Sequence, residues 1–285
     1  MISVLGGSGF VGSAFQRRYP DNFFYGRSNY RPYGNVLYLI STTDNYNVYD
    51  KPQLDIETNL SVLMEVLVNW RRVRKAGEVF NFVSSWFVYG PQANPYNVRE
   101  TAICDPRGFY SITKRAAEQL LISYCDTFDL QYRILRLGNV IGRGDSKAGP
   151  KRNAVQHMVN QLTLNEPVRI YGNGRQYRSF IHVDDTATAI GLIINRGDKN
   201  AVYNVGTDCD TWNLGDIITY AAGLLRSDSE ITYVPAPAFH QQVQVDSFTM
   251  DASKLCQLGF HPTYTCGGLF RELIPNPVVP GTVMS

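Results

Sequence analysis

A tyrosine and a lysine stand four residues apart in the segment Tyr110-Ser111-Ile112-Thr113-Lys114. The surrounding pattern predicts a helix from about Tyr110 to Tyr124, and residues four apart lie on the same face of a helix. A tyrosine hydroxyl has a pKa near ~10, and a neighbouring ammonium favours its ionised form. Such a pair can exchange a proton with a hydroxyl group, although an exposed tyrosine and lysine at this spacing also occur by chance.

A serine at the end of a predicted strand strengthens the chemical interpretation of this pair. The run Val79–Val83 is predicted to be a buried strand, and Ser84 and Ser85 follow it at the edge of a parallel sheet where sites form. Ser85 lies 25 residues before Tyr110. The candidate catalytic residues are therefore Ser85, Tyr110 and Lys114.

Glycines follow the first predicted strand, residues 2–5, in the segment Gly6-Gly7-Ser8-Gly9-Phe10-Val11-Gly12. The spacing G-x-x-G-x-x-G between a strand and a helix predicts a tight turn whose backbone approaches a pyrophosphate at the helix N-terminus. We expect a dinucleotide there, the alternative being a purely structural turn. The predicted cofactor-binding residues are Gly6, Ser8, Gly9, Phe10, Val11 and Gly12, together with Tyr110 and Lys114.

The end of the second predicted strand, Asn22–Tyr25, bears on the choice of cofactor. A carboxylate there would bind the ribose 2′-hydroxyl of NAD, whereas an arginine would accommodate the 2′-phosphate of NADP. The sequence continues with Gly26, Arg27 and Ser28 and has no carboxylate in this stretch. Arg27 and Ser28 are therefore predicted to bind the cofactor and favour NADP over NAD, unless Arg27 is simply exposed to solvent.

Short β-rich runs alternate with amphipathic helices, which predicts a parallel sheet covered on both faces. The expected fold class is α/β, a Rossmann-type doubly wound parallel sheet with a smaller C-terminal α/β part. Residues 1–143 are predicted to form the dinucleotide-binding domain, residues 144–273 mainly the substrate-binding part with some strands returning to the main sheet, and residues 274–285 a tail. Only about ten residues separate Tyr25 from Val36, so one βα unit is expected to be missing or reduced.

Further segments complete a resemblance to a known family. The glycine loop, the segment Ser84-Ser85-Trp86-Phe87-Val88-Tyr89-Gly90 and the Tyr-x-x-x-Lys pair resemble, in this order, the extended short-chain dehydrogenase/reductases, the NAD(P)-dependent sugar-nucleotide epimerase/dehydratase family. This family places its catalytic serine or threonine four residues before the tyrosine of the V-Y-G segment, which corresponds to Ser85. The resemblance covers roughly residues 2–273 and implies a nucleotide-diphosphate sugar as substrate and a homodimer.

Two later segments carry the expected contacts with the substrate diphosphate. Residues 136–142 resemble the family segment R-x-x-N-x-x-G, whose asparagine falls on Asn139. Residues 171–185 resemble the segment G-x-G-x-x-x-R-D-F-x-x-V-x-D, whose arginine falls on Arg178. A planar guanidinium suits phosphate oxygens. The predicted substrate-binding residues are Ser85, Trp86, Asn139 and Arg178.

The two residues after Ser85 bear on the type of reaction. The family's 4,6-dehydratases have an aspartate and a glutamate there, whereas this chain has Trp86 and Phe87, which cannot exchange protons. Dehydration is therefore disfavoured, and so is the decarboxylation of a related type that keeps the glutamate. The resemblance favours an epimerase. An NADPH-dependent keto-sugar reductase is the alternative, and a non-catalytic dinucleotide sensor or scaffold is an alternative of another class.

Composition argues against several other classes of protein. Apolar residues make up 44% and charged residues 18% of the chain, as in ordinary globular proteins. A net charge of +2 without a basic run argues against nucleic-acid binding. The five cysteines form no C-x-x-C pair, so no metal site is expected. The lack of a signal peptide or of an apolar stretch near ~20 residues predicts a cytoplasmic protein without membrane association.

Overall fold

The computed structural model of the chain describes residues 1–26, 30–146, 148–149, 153–207, 212–243 and 247–274. Its strands are β1 (Ile2–Leu5), β2 (Phe23–Tyr25), β3 (Asn35–Tyr38), β4 (Val79–Ser85), β5 (Gln131–Leu137), β6 (Asn139–Ile141), β7 (Val168–Tyr171), β8 (Tyr177–Arg178), β9 (Phe180–His182), β10 (Ala201–Val205), β11 (Trp212–Asn213) and β12 (Ile231–Val234). Its α-helices are α1 (Phe10–Arg18), α2 (Asn47–Asp50), α3 (Pro52–Ile56), α4 (Val62–Val73), α5 (Phe109–Thr127), α6 (Ala154–Thr163), α7 (Val183–Arg196), α8 (Leu214–Leu225), α9 (Ala238–Val243), α10 (Ser253–Cys256) and α11 (Cys266–Leu273). A π-helical turn, Glu57–Ser61, joins α3 to α4, and a 3-10 turn, Trp86–Tyr89, follows β4.

Across the described residues, six parallel strands form one central sheet in the order β2-β1-β3-β4-β5-β10. Helices α1 and α7 pack on one face of this sheet, and helices α4 and α5 pack on the other. Strand β4 serves both faces because its side chains alternate, with Phe80 and Phe82 toward α4 and α5 and Val83 toward α1 and α7. The predicted doubly wound α/β fold is confirmed.

The C-terminal half of the chain contributes both to this sheet and to a second hydrophobic core. Strand β10 pairs with β5 in the central sheet. The second core lies between α6, α8 and α11 and the β7–β12 pair, and its fully buried members include Val159, Ile170, Ile217 and Phe270. Helices cover these short strands, as expected for a smaller α/β part. Among the helices of the described ranges, none combines the length and the apolar character needed to cross a membrane.

The connection between β2 and β3 is short. Residues 30–34, which are described, contain neither helix nor strand, and β2 stays at the edge of the sheet. The indole nitrogen of Trp70 in α4 donates a hydrogen bond to the carbonyl oxygen of Gly34 over 2.8 Å. Helix α4 is thus hydrogen-bonded to the end of this short connection. The lack of helix and strand in residues 30–34 agrees with the expectation of a reduced βα unit.

A buried ion pair attaches α5 to β5. The carboxylate of Glu118 is fully buried and accepts from Nε and Nη2 of Arg136 at 3.0 and 2.8 Å. Arg115 adds a third hydrogen bond, from Nη1 to Oε2 over 2.8 Å. Burial opposes the ionisation of Glu118, but the hydrogen bonds and the charge of Arg136 outweigh it and lower the pKa of this carboxyl. Glu118 therefore stays ionised inside the protein.

Removing one partner of this pair tests its contribution. We expect Glu118→Ala to lower the free energy of unfolding by about 3–5 kcal/mol, because it leaves the guanidinium of Arg136 buried without its carboxylate. Urea denaturation measures this loss. Arg99→Ala is the matched control, since the Arg99 side chain is 77% exposed in its pair with Asp251 and should contribute at most about 1 kcal/mol. Equal losses of unfolding free energy in the two variants would contradict a stabilising role of the buried pair.

Candidate active site

A cleft of about 350 Å³ opens at the carboxyl ends of the central strands. Strands β1 and β3 are neighbours there, and open parallel sheets bind ligands where the strand order reverses in this way. Loops after β1, β3, β4 and β5 and the start of α5 supply its walls. The predicted site residues that line it are Gly6, Gly9, Phe10, Val11, Gly12, Ser85, Trp86, Tyr110, Lys114 and Asn139.

Four predicted residues are not among those that line the cavity. Ser8 is exposed in the glycine loop, and Arg178 is half-buried beyond the lining. Arg27 and Ser28 lie outside the described residues. The preference for NADP that was based on these two residues therefore stays a prediction.

The glycine loop forms a cradle of backbone groups. The N–H of Gly9 donates to the carbonyl oxygen of Gly6 over 3.1 Å, and Gly6 has a φ of +87°. Helix α1 begins at Phe10 with no side chain capping it and no acidic residue in its first turn, so its first N–H groups can bind an anion. A Cβ at Gly12 would lie 2.4 Å from the carbonyl oxygen of Gly6. These close backbone contacts and free N–H groups fit the pyrophosphate of a dinucleotide.

Helix α5 carries Tyr110 and Lys114 one turn apart, and both line the cleft. The helix begins one residue earlier than predicted, with Gly108 at its N-cap. There the N–H of Gly108 donates to Oγ of Ser111 over 3.1 Å, and that hydroxyl donates back to the carbonyl oxygen of Gly108 over 2.8 Å. This local cap fixes the helix start, and with it the direction in which Tyr110 leaves the backbone.

Lys114 is 1% exposed. Its Nζ donates to the carbonyl oxygen of Val83 over 2.8 Å and lies 4.2 Å from the ring centroid of Phe82. Burial lowers the pKa of Lys114 to about 7, and the negative charge of Glu118 partly opposes this effect. The ammonium is thus held between β4 and α5 at the floor of the cleft.

Ser85 is the last residue of β4 and the N-cap of the 3-10 turn that follows it. Its Oγ accepts a hydrogen bond from the N–H of Phe87 over 3.4 Å. The fold therefore brings Ser85 into one cleft with Tyr110 and Lys114, although they lie in different elements. A hydroxyl, a phenol and an ammonium grouped in this way can move a proton to or from a hydroxyl-bearing carbon.

Asn59, in the π-helical turn, is a positioning residue that the sequence interpretation missed. It is almost fully buried, and its Nδ2 donates to Oγ1 of Thr42 at 2.9 Å and to Oγ1 of Thr113 at 3.0 Å. Its Oδ1 accepts from the N–H of Thr42 at 3.1 Å and from Oγ of Ser41 at 3.0 Å. Asn59 thus links the loop after β3 to the turn of α5 between Tyr110 and Lys114. No sequence motif marks this position; the π-helical turn that carries it, a feature common at functional sites, is visible only in the structure.

The predicted substrate-binding residues lie at the end of β4 and directly after it, at the start of β6 and in β8. Nδ2 of Asn139 donates to the carbonyl oxygen of Ser179 over 3.1 Å. Nη1 of Arg178 donates to the carbonyl oxygen of Tyr177 over 2.8 Å, and its Cζ lies 5.6 Å from the ring centroid of Trp86. Trp86 therefore connects the lining of the cleft with the guanidinium of Arg178, whereas Asn139 lines the cleft itself.

Polar residues without a recognisable motif complete the lining. Thr43 and Asn45 follow β3, and Asp145 and Asn153 come from the segment after β6. Nδ2 of Asn153 donates to Oδ2 of Asp145 over 3.0 Å. The sequence offered no local signal for these four because their proximity depends on long loops. Within the described part of the chain, no group of three His, Cys, Asp or Glu side chains is placed to hold a metal ion.

Comparison with known proteins agrees with this arrangement. The model of the NAD-dependent epimerase/dehydratase family matches residues 36–206, which is more than half of the chain. The chain belongs to this family. Membership confirms the resemblance expected from the motifs and supports a nicotinamide dinucleotide as cofactor, but it does not distinguish NADP from NAD.

Relatives in this family have different named activities. The chain is 29% identical over 160 residues to the low-salt glycan biosynthesis protein Agl12 of Haloferax volcanii, a match that covers 56% of this chain and 49% of that protein. It is 27% identical over 227 residues to a dTDP-glucose 4,6-dehydratase of Xanthomonas campestris, covering 75% of this chain and 62% of that protein. The chain spans less than two thirds of the length of both relatives. Similarity to a dehydratase means that the argument from Trp86 and Phe87 against dehydration is not confirmed.

A solved structure shows the same fold. The chain matches the crystal structure of a UDP-glucose 4-epimerase with UDP-glucose from Thermotoga maritima with a TM-score of 0.83 and 23% identity. The match covers 95% of this chain and 96% of that one. At this level of identity, the match establishes that the chain has the same Rossmann-type fold.

A side chain at Gly12 tests the cradle. We expect Gly12→Ala to weaken dinucleotide binding at least about tenfold and to lower the free energy of unfolding by about 1–3 kcal/mol, because its Cβ overpacks the loop. Titration with NAD and NADP and thermal unfolding measure these effects. Gly223→Ala in α8 is the control, since an added Cβ there meets no atom within 4 Å and should be neutral or stabilise the helix. Unchanged cofactor affinity in Gly12→Ala would rule out the cradle.

The buried ammonium predicts a pH dependence of stability. Between the folded pKa of Lys114, about 7, and the ordinary lysine value of ~10.4, the unfolded chain binds the extra proton, so stability rises with pH. Compared with Lys114→Met, the unfolding free energy of the cofactor-free wild type should gain up to about 1.4 kcal/mol per pH unit in this window. Denaturation at several pH values measures the slope. Lys199→Met, at an exposed position, controls for the loss of a charge. Parallel pH profiles of wild type and Lys114→Met would refute the prediction.

Proposed function

We propose that the protein is an NAD(P)-dependent nucleotide-sugar epimerase that acts at C4 of the sugar, with Ser85, Tyr110 and Lys114 as its catalytic residues. The observation that carries the proposal is that these three side chains and the glycine loop line one cleft. A site that joins a dinucleotide cradle to a proton-transfer group suits the oxidation of a secondary alcohol. The named activities of related and structurally similar proteins support a nucleotide sugar as substrate.

The three side chains divide the proton chemistry between them. Tyr110 takes the proton from the sugar hydroxyl and later returns it, while Ser85 hydrogen-bonds the same oxygen and keeps it in line. Lys114, fixed by the Val83 carbonyl, supplies positive charge on the same face of α5 and a donor for the cofactor ribose. A bound nicotinamide dinucleotide would accept a hydride from C4 and return it to either face of the sugar ring.

Other residues are assigned to binding. Gly6, Gly9 and Gly12 hold the cofactor pyrophosphate, with Phe10 and Val11 beside it. We assign Asn139 and Arg178 to the substrate diphosphate, where Arg178 reaches the substrate from its position over Trp86. The expectations of a homodimer and of a cytoplasmic location stay predictions.

Experiments must distinguish the epimerase from three other functions. A keto-sugar reductase would use the same three residues and release its product after one hydride transfer. A 4,6-dehydratase needs a further acid and base beside the sugar. In this chain the two positions after Ser85 are Trp86 and Phe87, whose side chains cannot act as acid or base. A dinucleotide sensor needs no proton-transfer group, so the presence of all three side chains in the cleft favours an enzyme.

Removing the phenol hydroxyl tests the proton-transfer role. We expect Tyr110→Phe to lose activity by about 10²–10⁴-fold while it still binds nucleotide sugar, because positioned proton transfer contributes rate enhancements of that size. Tyr124→Phe is the matched control: Tyr124 lies on the same helix, away from the cleft lining, and its loss should leave turnover intact. Wild-type turnover in Tyr110→Phe would exclude the mechanism.

A panel of nucleotide sugars, assayed with and without added NADPH, separates the activities. Interconversion of C4 epimers without net change in reduced nicotinamide supports the epimerase, whereas stoichiometric oxidation of NADPH by a 4-keto sugar indicates the reductase. Loss of water from the sugar would show a dehydratase. Product configuration by NMR, followed together with nicotinamide absorbance, provides all three readouts.

A further inference from the structure

A short segment beside the cleft is attached at both ends to the smaller C-terminal part. It consists of residues 235–243, which include α9, and is called the strap below. The strand before it, β12, pairs with β7 and places Val234 opposite Tyr171. On the other side of the strap, the N–H of Phe248 donates to the carbonyl oxygen of Tyr177 in β8 over 3.0 Å. Both attachments of the strap therefore belong to the C-terminal half of the chain.

The middle of the strap contacts the other part of the molecule. The ring centroid of Phe239 lies 5.0 Å from that of Tyr46 and 5.1 Å from that of Tyr49. Both tyrosines belong to the segment after β3, on the side of the central sheet. Nε2 of His240 is hydrogen-bonded to the hydroxyl group of Tyr46. Because the strap is fixed to one part at both ends and contacts the other part in its middle, it crosses the gap between them.

This gap is the mouth of the cleft. Asn45, which lines the cleft, is the residue before the first of these tyrosines. A Cβ added to Gly108, the N-cap of α5, would lie 3.3 Å from Oδ1 of Asn45 and 3.4 Å from Cβ of Val243, the last residue of the strap. On the other side, Asp145 and Asn153 line the cleft from the segment that leads into α6. The strap thus crosses the mouth of the cleft at the start of the helix that carries the proposed proton-transfer group.

The contacts that hold the strap to the tyrosines lie near the surface. Tyr49 is 63% exposed, and Phe239 is half-buried. Helix α9 has six residues, and a helix this short depends on packing for its stability. A single aromatic pair or hydrogen bond contributes little net free energy. We therefore expect the strap to separate from the tyrosines while the central sheet stays folded.

We propose that the strap is a gate, which closes the cleft over a bound nucleotide sugar and opens to let that ligand enter and leave. The inference rests on the proposed function, which supplies the nucleotide sugar and assigns its diphosphate to Arg178. Arg178 forms a β-bridge with Phe248, where the chain rejoins the C-terminal part after the strap. A ligand that extends from Tyr110 to Arg178 therefore passes under the strap.

A gate has a kinetic signature that a direct ligand contact lacks. When the closed form predominates, association is slowed by the small fraction of molecules that are open, and dissociation requires the same opening. Weakening the contacts between the strap and the tyrosines then raises both rate constants by the same factor and leaves Kd unchanged. Loss of a direct contact with the ligand would raise the dissociation rate constant alone and weaken binding.

Stopped-flow binding of UDP-glucose and dTDP-glucose to Tyr110→Phe, which prevents turnover, measures both rate constants. In that background, Phe239→Ala should raise each of them about tenfold because two aromatic contacts are lost, and Tyr46→Phe should raise each about fivefold. Phe128→Ala is the matched control, since its ring is 40% exposed and packs on Tyr124 at 4.7 Å at the other end of α5. Unchanged rate constants in Phe239→Ala, or a rise in dissociation alone, would overturn the inference.

Hydrogen exchange tests the opening without any ligand. The N–H of Gln241 donates to the carbonyl oxygen of Pro237 over 3.1 Å within the strap. Phe239→Ala should accelerate the exchange of this amide about tenfold and leave the amides of β4 unaffected, because the strap opens locally. Exchange of the Gln241 amide only through global unfolding, at the rate of the β4 amides, would contradict a gate.

The binding and turnover results together separate the two proposals. Gated binding of a nucleotide sugar that is never turned over contradicts the proposed function only. Turnover with binding rate constants that do not respond to Phe239→Ala contradicts the gate only. If neither UDP-glucose nor dTDP-glucose binds, both proposals fail.

Discussion

The buried ammonium of Lys114 constrains the arrangement of the whole site. A cation taken out of water needs compensation, and Lys114 obtains it from the Val83 carbonyl, the Phe82 ring and the charge of Glu118. Glu118 is itself held by Arg136 of β5. Helix α5 is therefore fixed to two neighbouring strands at once. These attachments also fix the position of Tyr110, which lies one helical turn before Lys114, relative to the end of β4.

The second constraint comes from Asn59, which uses both ends of its amide. Hydrogen bonds to Thr42 and Thr113 tie the loop after β3 to α5, and they do so from a helix that widens to a π-helical turn at that point. A regular α-helix would direct the side chain of Asn59 differently, so the π-helical turn and these hydrogen bonds depend on each other. Through these hydrogen bonds one buried amide side chain holds the loop after β3 in place relative to the helix that carries Tyr110 and Lys114.

Local sequence patterns predicted much of this fold, whereas the positions of other site residues depend on long-range contacts. Tyr110 and Lys114 share a helix face because helical periodicity dictates it, and Ser85 ends a strand because its predecessors are apolar and β-prone. Asn59 was missed because its partners lie 17 and 54 residues away in the chain. Arg178 was expected to bind the substrate diphosphate, a role that stays a prediction, and its guanidinium lies over Trp86 outside the residues that line the cleft. Its placement depends on aromatic packing that no spacing in the sequence reveals.

The family to which this chain belongs includes both epimerases and dehydratases, so the residues that line the cleft, rather than the fold, must distinguish the two activities. The two positions after Ser85 face this cleft, and the turn that carries them is held by a hydrogen bond from the backbone N–H of Phe87 to Oγ of Ser85, which does not involve the side chains of Trp86 and Phe87. Trp86, however, is not an isolated side chain in the cleft but the front of a stack that continues through Phe248 to Tyr89. Installing acidic residues there would leave a buried apolar layer facing a charge. A polar or charged side chain at position 86 therefore requires repacking of Phe248 and Tyr89 behind it, so the side chain at this turn is coupled to a cluster outside the cleft.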